Sequence, residues 1–124
     1  MSCYKNEVDL DTRISEFYRI KSKYTDRIPI IIDYNKDLIS FNLKRKFLVT
    51  YEVTASYLLS ILRMKCKIDS TKAIFMFCNN KLISSGSMMT EIYENYQNEM
   101  LKDEEFRRGD KFLYIRISSE NTFG

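Results

Sequence analysis

Three thiols, a closing glycine and one short basic run are the groups in this sequence whose types and spacing bear on chemistry. Cys3, Cys66 and Cys78 are odd in number and show no CxxC spacing. That pattern argues against a disulfide scaffold or a metal cluster and for a reducing compartment. A thiol enzyme built on Cys3 or Cys66 needs a base to form its thiolate, and the chain has no histidine. The same absence removes His-based triads, His-ligated zinc and His acid–base chemistry. Cys78 lies inside an apolar run and reads as a small core residue. No catalytic residue, no metal site and no cofactor is expected.

The closing Phe123-Gly124 suits a different chemistry, in which the chain itself is the substrate. Glycine has no side chain to block a narrow enzyme channel and adopts backbone conformations closed to other residues. A carboxylate is unreactive until adenylated, after which a cysteine thiolate can take the acyl group and pass it to an amine. The basic run Lys44-Arg45-Lys46 precedes Phe47-Leu48-Val49-Thr50-Tyr51, which reads as a strand. At a sheet edge that strand offers unpaired N–H and C=O groups to an extended peptide, with positive charge beside it. Lysines that merely guard an edge against aggregation give the same pattern.

These groups must be positioned by the elements around them. Asp11 is placed to cap a helix running to about Tyr24, with Ile14, Phe17, Tyr18 and Lys21 at i, i+3, i+4 and i+7. A helical turn around Tyr4–Val8 precedes it. Ile28-Pro29-Ile30-Ile31-Ile32 reads as a strand, Thr54 caps a helix through about Cys66, and Ala73–Cys78 forms a third strand. A helix over about Met88–Gln97 follows, and residues 98–110, eight of them charged, read as a loop or a frayed helix end. Phe112–Ile117 is the last strand. Without the leading helices the order is β-β-α-β-α-β, which suits an α+β, ubiquitin-like β-grasp with a four-stranded mixed sheet. Strands 28–32 and 112–117 are apolar at nearly every position and must be covered on both faces. Helix 54–66 covers one face; the two additional N-terminal helices, within residues 4–24, cover the other. Incomplete cover there leaves apolar pockets at the surface.

Composition narrows the class further. Of 124 residues 44% are hydrophobic and 30% charged, enough for a core and unlike a disordered tail. No apolar run approaches the roughly 20 residues of a membrane span, and the N-terminus shows no secretory h-region. Residues 1–67 carry 13 Lys/Arg against 8 Asp/Glu, whereas residues 68–124 carry 7 against 9. A basic N-terminal half suits acidic peptides, nucleic acid or anionic lipid. Nine Tyr and eight Phe beside basic residues suggest base stacking, but most fall at core-facing positions, so no nucleic-acid partner is expected.

Several segments resemble one family. Lys23-Tyr24-Thr25-Asp26-Arg27-Ile28-Pro29-Ile30-Ile31 is similar to the KYPDRIPVI segment of the autophagy ubiquitin-like modifiers, those related to GABARAP and to microtubule-associated light-chain-three. Lys46–Val49, Phe75–Asn80, Ile92-Tyr93-Glu94, Phe112–Ile115 and the closing Ser119-Glu120-Asn121-Thr122-Phe123-Gly124 resemble it as well, in order from about Tyr4 to Gly124. Thr25 and Thr50 stand where the family has Pro, Leu58 stands where it has Phe, and segment 97–111 is longer than usual.

The resemblance implies an N-terminal helical subdomain over 1–26, a ubiquitin-like core over 27–117 and a conjugation tail over 118–124. It implies conjugation of Gly124, through an activating and a conjugating enzyme, to phosphatidylethanolamine, and release by a delipidating cysteine protease. The protein would be cytoplasmic when free and held on an autophagosomal or related organelle membrane when lipidated. There it would recruit receptors and adaptors bearing an aromatic-x-x-aliphatic motif. Carried over by position, Glu16, Ile20, Pro29, Ile31, Lys46, Leu48 and Phe112 line an aromatic pocket. Phe47, Val49, Val53, Leu58 and Ile61 line an aliphatic one, and Arg27 and Arg63 meet flanking acids. Two other readings stand beside this: a modifier conjugated to a protein lysine, and a non-conjugated microtubule or membrane adaptor.

Overall fold

A computed structural model describes residues 3–35, 38 and 44–120. In chain order the elements are α1 (Tyr4–Glu7), α2 (Leu10–Lys23), β1 (Arg27–Tyr34), β2 (Lys46–Thr50), α3 (Ala55–Cys66), β3 (Phe75–Cys78), β4 (Lys81–Leu82), α4 (Met89–Met100), α5 (Glu104–Arg108) and β5 (Leu113–Ser118). The strands form one sheet in the order β2-β1-β5-β3-β4. β1 and β5 run parallel at its centre, and the other pairs are antiparallel. The α+β class expected from the sequence is found, with five strands among the described residues rather than four. The added strand, β4, is two residues long. It follows the turn Asn79-Asn80, both with positive φ, as a two-residue hairpin loop requires.

β1 is buried at Ile28, Pro29, Ile30, Ile31, Ile32 and Tyr34, and the two sides of the strand lead to separate cores. Ile28, Ile30, Ile32 and Tyr34 join Leu58, Leu62 and Cys66 of α3 and Met89, Tyr93 and Tyr96 of α4. Ile31 points the other way and packs with Tyr4, Phe17 and Phe112. Phe17 and Phe112 meet edge to face, with ring centroids 5.3 Å apart. The leading helices therefore cover the second face, which a sheet with apolar residues on both sides demands.

α2 starts earlier than expected. Its cap is Asp9, whose carboxylate accepts the Thr12 N–H at 2.8 Å; Asp11 lies in the first turn, where a negative charge favours the helix dipole. The earlier start brings Arg13 one turn in, facing the sheet. Its Nη1 donates to Asp110 Oδ2 at 2.9 Å, its Nη2 to Glu105 at 3.3 Å and its Nε to the Val8 carbonyl at 3.0 Å. Asp110 also accepts the Phe112 N–H and the Tyr114 hydroxyl. Arg13 and Asp110 are both buried.

Residues 98–110, expected as a loop or a frayed helix end, hold the end of α4 and a further short helix. α4 continues to Met100, and a short helix, α5, follows with Asp103 as cap. One apolar residue holds it: Phe106 packs edge to face on Tyr96 at 5.8 Å. Gly109 ends α5 so close to the Glu105 carbonyl that a Cβ would collide with it, and would crowd Leu10 of α2. Cys78, expected in the core, is half-buried at its margin.

Burial decides which of the two carboxylates on Arg13 matters. Removing one member of a buried pair leaves the other charged and unpaired, at about 3–5 kcal/mol. Arg13→Met should therefore lower the unfolding free energy by about that amount in a urea titration. Glu105→Ala, which removes an exposed partner, should cost less than about 1 kcal/mol.

Candidate functional site

β2 is the edge of the sheet, and its free side is where the sequence-selected residues gather. Ile32 of β1 donates its N–H to the Arg45 carbonyl at 2.7 Å. The antiparallel register continues Ile30↔Phe47 and Ile28↔Val49. Alternation along the ladder then turns the backbone N–H and C=O of Phe47 and Val49 toward β1, and those of Lys46, Leu48 and Thr50 outward. Pro29, which has no N–H, faces Leu48 and removes no bond from this pair of strands.

The side chains of β2 split between the two faces of the sheet. Lys46 and Leu48 lie on the face of α1 and α2, opposite Ile31 and Pro29. Six of the seven residues of the expected aromatic pocket are sheet or helix residues packed here, with Phe112 reaching in just before β5. Ile31 and Phe112 are fully buried and form a floor, Ile20 is half-buried against it, and Leu48 is 37% exposed at the rim. Glu16 of α2 forms an ion pair with Lys46, and Tyr4 donates its hydroxyl to the same carboxylate at 3.0 Å. Burial, then the Glu16 hydrogen bond, raises the pKa of Tyr4. For Lys46 burial opposes the charge, but Glu16 and Tyr4 outweigh it and raise its pKa. A polar bridge thus closes one end of the apolar patch. Beside it an open cleft is lined by Thr12, Ser15, Arg19 and the same Glu16–Lys46 pair.

On the opposite face lie the residues expected to line the aliphatic pocket. Phe47, Val53 and Ile61 are half-buried and remain accessible. Val49 is nearly, and Leu58 completely, buried in the main core beneath them. Arg27 and Arg63 are not brought together. Arg27 pairs with Asp26 at the Thr50 end of β2, whereas Arg63 donates to the Asp69 carbonyl at 3.0 Å beyond the other end. Phe123 and Gly124 lie outside the described residues.

Sequence reasoning missed two groups here. One is the Tyr4–Glu16–Lys46 bridge, whose members are spread over 42 positions and linked by no local pattern. The other is Asp33, which accepts the Tyr4 N–H at 2.8 Å and pairs with Arg45 at 3.0 Å, tying α1 to β1 and to the approach of β2. Burial raises the pKa of Asp33 even so, against the lowering effect of both partners.

The Atg8 family model, described as autophagy protein Atg8, ubiquitin like, matches residues 12–124. The chain belongs to the Atg8 family. It is 38% identical over 125 residues to Autophagy-related protein 8 of Pichia angusta, covering 99% of this chain and 91% of that one. Autophagy-related protein 8e of Arabidopsis thaliana is 36% identical over 124 residues, covering 99% of this chain and 93% of its own. The crystal structure of Trypanosoma brucei ATG8 superimposes with a TM-score of 0.74 at 30% identity, covering 100% of this chain and 99% of that one. The Atg8 chain described here is thus ubiquitin-like in fold and an autophagy protein by family. None of its described helices is long and apolar enough to cross a membrane.

Two of the three thiols are shielded. Cys66 is buried at the end of α3, and burial pushes the Cys78 thiol up to about 12. At pH 8 that leaves Cys78 about a thousandfold less thiolate than an ordinary cysteine. Iodoacetamide at pH 8, followed by peptide mass spectrometry, should modify Cys3 first and leave Cys66 and Cys78 largely unmodified until the protein is unfolded.

Proposed function

We propose that this protein is a ubiquitin-like modifier, conjugated through Gly124 to phosphatidylethanolamine, that recruits partners bearing an aromatic-x-x-aliphatic motif. The observation that carries the binding half is the open β2 edge flanked by one apolar patch on each face. Side chains of an extended strand alternate faces with a period of two. Two residues three apart therefore point to opposite faces. A peptide that adds to the β2 edge places its aromatic side chain toward Leu48, Pro29 and Ile20 on one face. Its aliphatic side chain then falls toward Phe47, Val53 and Ile61 on the other. The outward amides of Lys46, Leu48 and Thr50 give affinity, and the two patches give selectivity.

The conjugation half rests on family membership and on the chemistry of Gly124. An activating enzyme adenylates the carboxylate and holds it as a thioester. A conjugating enzyme then passes the acyl group to the lipid amine, and a cysteine protease reverses the linkage. In this reading the protein is substrate rather than catalyst, cytoplasmic until the lipid holds it on an autophagosomal or related membrane. Its tail spans 118–124, its core 27–117 and its helical subdomain 1–26.

Incubation with matching activating and conjugating enzymes, ATP and phosphatidylethanolamine liposomes should add the mass of one lipid, and Gly124→Ala should abolish it. A thioester without a lipid adduct would favour a protein lysine as acceptor, and no thioester at all would sink the modifier reading. For the binding half, Leu48→Arg alters an exposed side chain and should leave the melting temperature unchanged. Calorimetry should show it weakening an aromatic-x-x-aliphatic peptide about tenfold or more; unchanged affinity would move the peptide off this edge.

A further inference from the structure

A lipid on Gly124 would decide which end of the molecule meets the membrane, and that end has a chemistry of its own. Near its end β5 pairs Ile117 with Tyr34 of β1 and Ser118 with Phe75 of β3. α3 ends at the same pole: the Cys66 sulfur lies 3.3 Å from the Tyr34 hydroxyl and accepts the Lys44 N–H at 3.4 Å. Residues 67–74 then cross the pole to reach Phe75. Six residues lead from Ser118 to Gly124, a reach of at most about 20 Å. A lipid there holds this pole within that distance of the headgroups.

Four lysines gather near this pole, against Asp69 and, two residues past β5, Glu120 as its described acids. Lys44, Lys65 and Lys67 are exposed and Lys72 half-exposed, and none of the four pairs with a carboxylate among the described residues. Asp69 is the one acid between residues 63 and 74, and its carboxylate is taken by the N–H and hydroxyl of Thr71. Met64, in the last turn of α3 next to Lys65, is 67% exposed, above every other large hydrophobic residue described. Lys67 itself caps α3 in the left-handed region, φ 55° and ψ 41°, where glycine fits without strain. A lysine is held there at a conformational cost.

We propose that Met64, with Lys44, Lys65, Lys67 and Lys72, forms a membrane-contact surface for anionic lipid headgroups. The lysines meet the phosphates and carboxylates while the flexible methionine reaches the acyl boundary between them. One methionine at a helix end suits a fluid lipid layer and offers too little area to a folded partner. The attraction fades beyond about 8 Å at physiological salt, so it acts once the anchor has brought the pole close. The orientation rests on the conjugation reading; the affinity for anionic lipid does not.

The test tethers the full chain through a hexahistidine extension after Gly124 to vesicles carrying nickel-chelating lipid, without conjugation enzymes. Hydrogen exchange of the Met64–Lys72 amides should slow about fivefold or more on phosphatidylcholine with roughly 30% phosphatidylserine, not on phosphatidylcholine alone, and high salt should remove the effect. Lys65→Gln with Lys67→Gly should abolish the protection, although Lys67→Gly relieves the strained cap and should raise the melting temperature. Arg19→Gln with Lys23→Gln removes equal charge from α2 and should leave the protection in place. Equal protection on both vesicles, protection that survives Lys65→Gln/Lys67→Gly, or loss with the α2 variant would each overturn the proposal. Polyglutamate giving the same protection in solution would assign the pole to an acidic protein instead. Protection here together with failed lipid transfer to Gly124 would sink the conjugation reading alone.

Discussion

A central strand that is apolar on both sides is the constraint from which the rest of this structure follows. Ile28, Ile30, Ile32 and Tyr34 of β1 need one cover, and Ile31 needs another. A four-turn amphipathic helix with Phe17 on its inner face supplies the second, and the Arg13–Asp110 pair fixes where that helix lies. Without that cover Ile31 and Phe112 would face water, each forfeiting about 1.5–3 kcal/mol of burial. Because α2 stops short of the edge strand, the cover thins toward β2. The patch at Leu48, Pro29 and Ile20 is what remains of a face that α2 only partly closes.

The electrostatics follow the same layout. Glu16 and Lys46 link the covering helix to the edge strand, and Asp33 links α1 to β1 and to Arg45. The buried carboxylates of this face therefore all meet cations or amides, and no buried side-chain polar atom among the described residues lacks a partner. Outside this layer Lys44, Lys65, Lys67 and Lys72, near the end of α3, pair with no carboxylate among the described residues. Glu16, Asp33 and Asp110 thus hold the N-terminal helices to the sheet.

Much of the fold could be read from the sequence because its signals are local. The β-branched run after Arg27, the Thr54 cap and the helical spacing of Leu58 and Leu62 each specify an element by themselves. The requirement for two covers also follows from one strand alone. What escaped was non-local or too short to be periodic. α5 is held by a single apolar residue, Phe106, which no pattern of apolar spacing detects. The start of α2 hinged on Asp9 against Asp11, two residues of equal capping chemistry that no local pattern separates. The residues of the edge site were legible through family resemblance, whereas their division into buried floor and accessible rim depends on packing. Ile31, Phe112 and Leu58 lie in the floor, and Leu48, Phe47 and Ile61 form the rim.

The strand order has a further bearing on how the chain comes to be folded. Of the five described strands β5 leaves the ribosome last, yet it occupies the middle of the sheet, between β1 and β3. Parallel pairing of Ile30 with Leu113, and the bond from Arg13 to Asp110, both wait on residues made more than eighty positions later. Until then the nascent chain holds β1 with one neighbour and an uncovered apolar flank, a form open to sticking or to capture by chaperones. Closure of the sheet and docking of the leading helix are in that sense a single event, and α1 and α2, made before β1, find their place only after β5 is made.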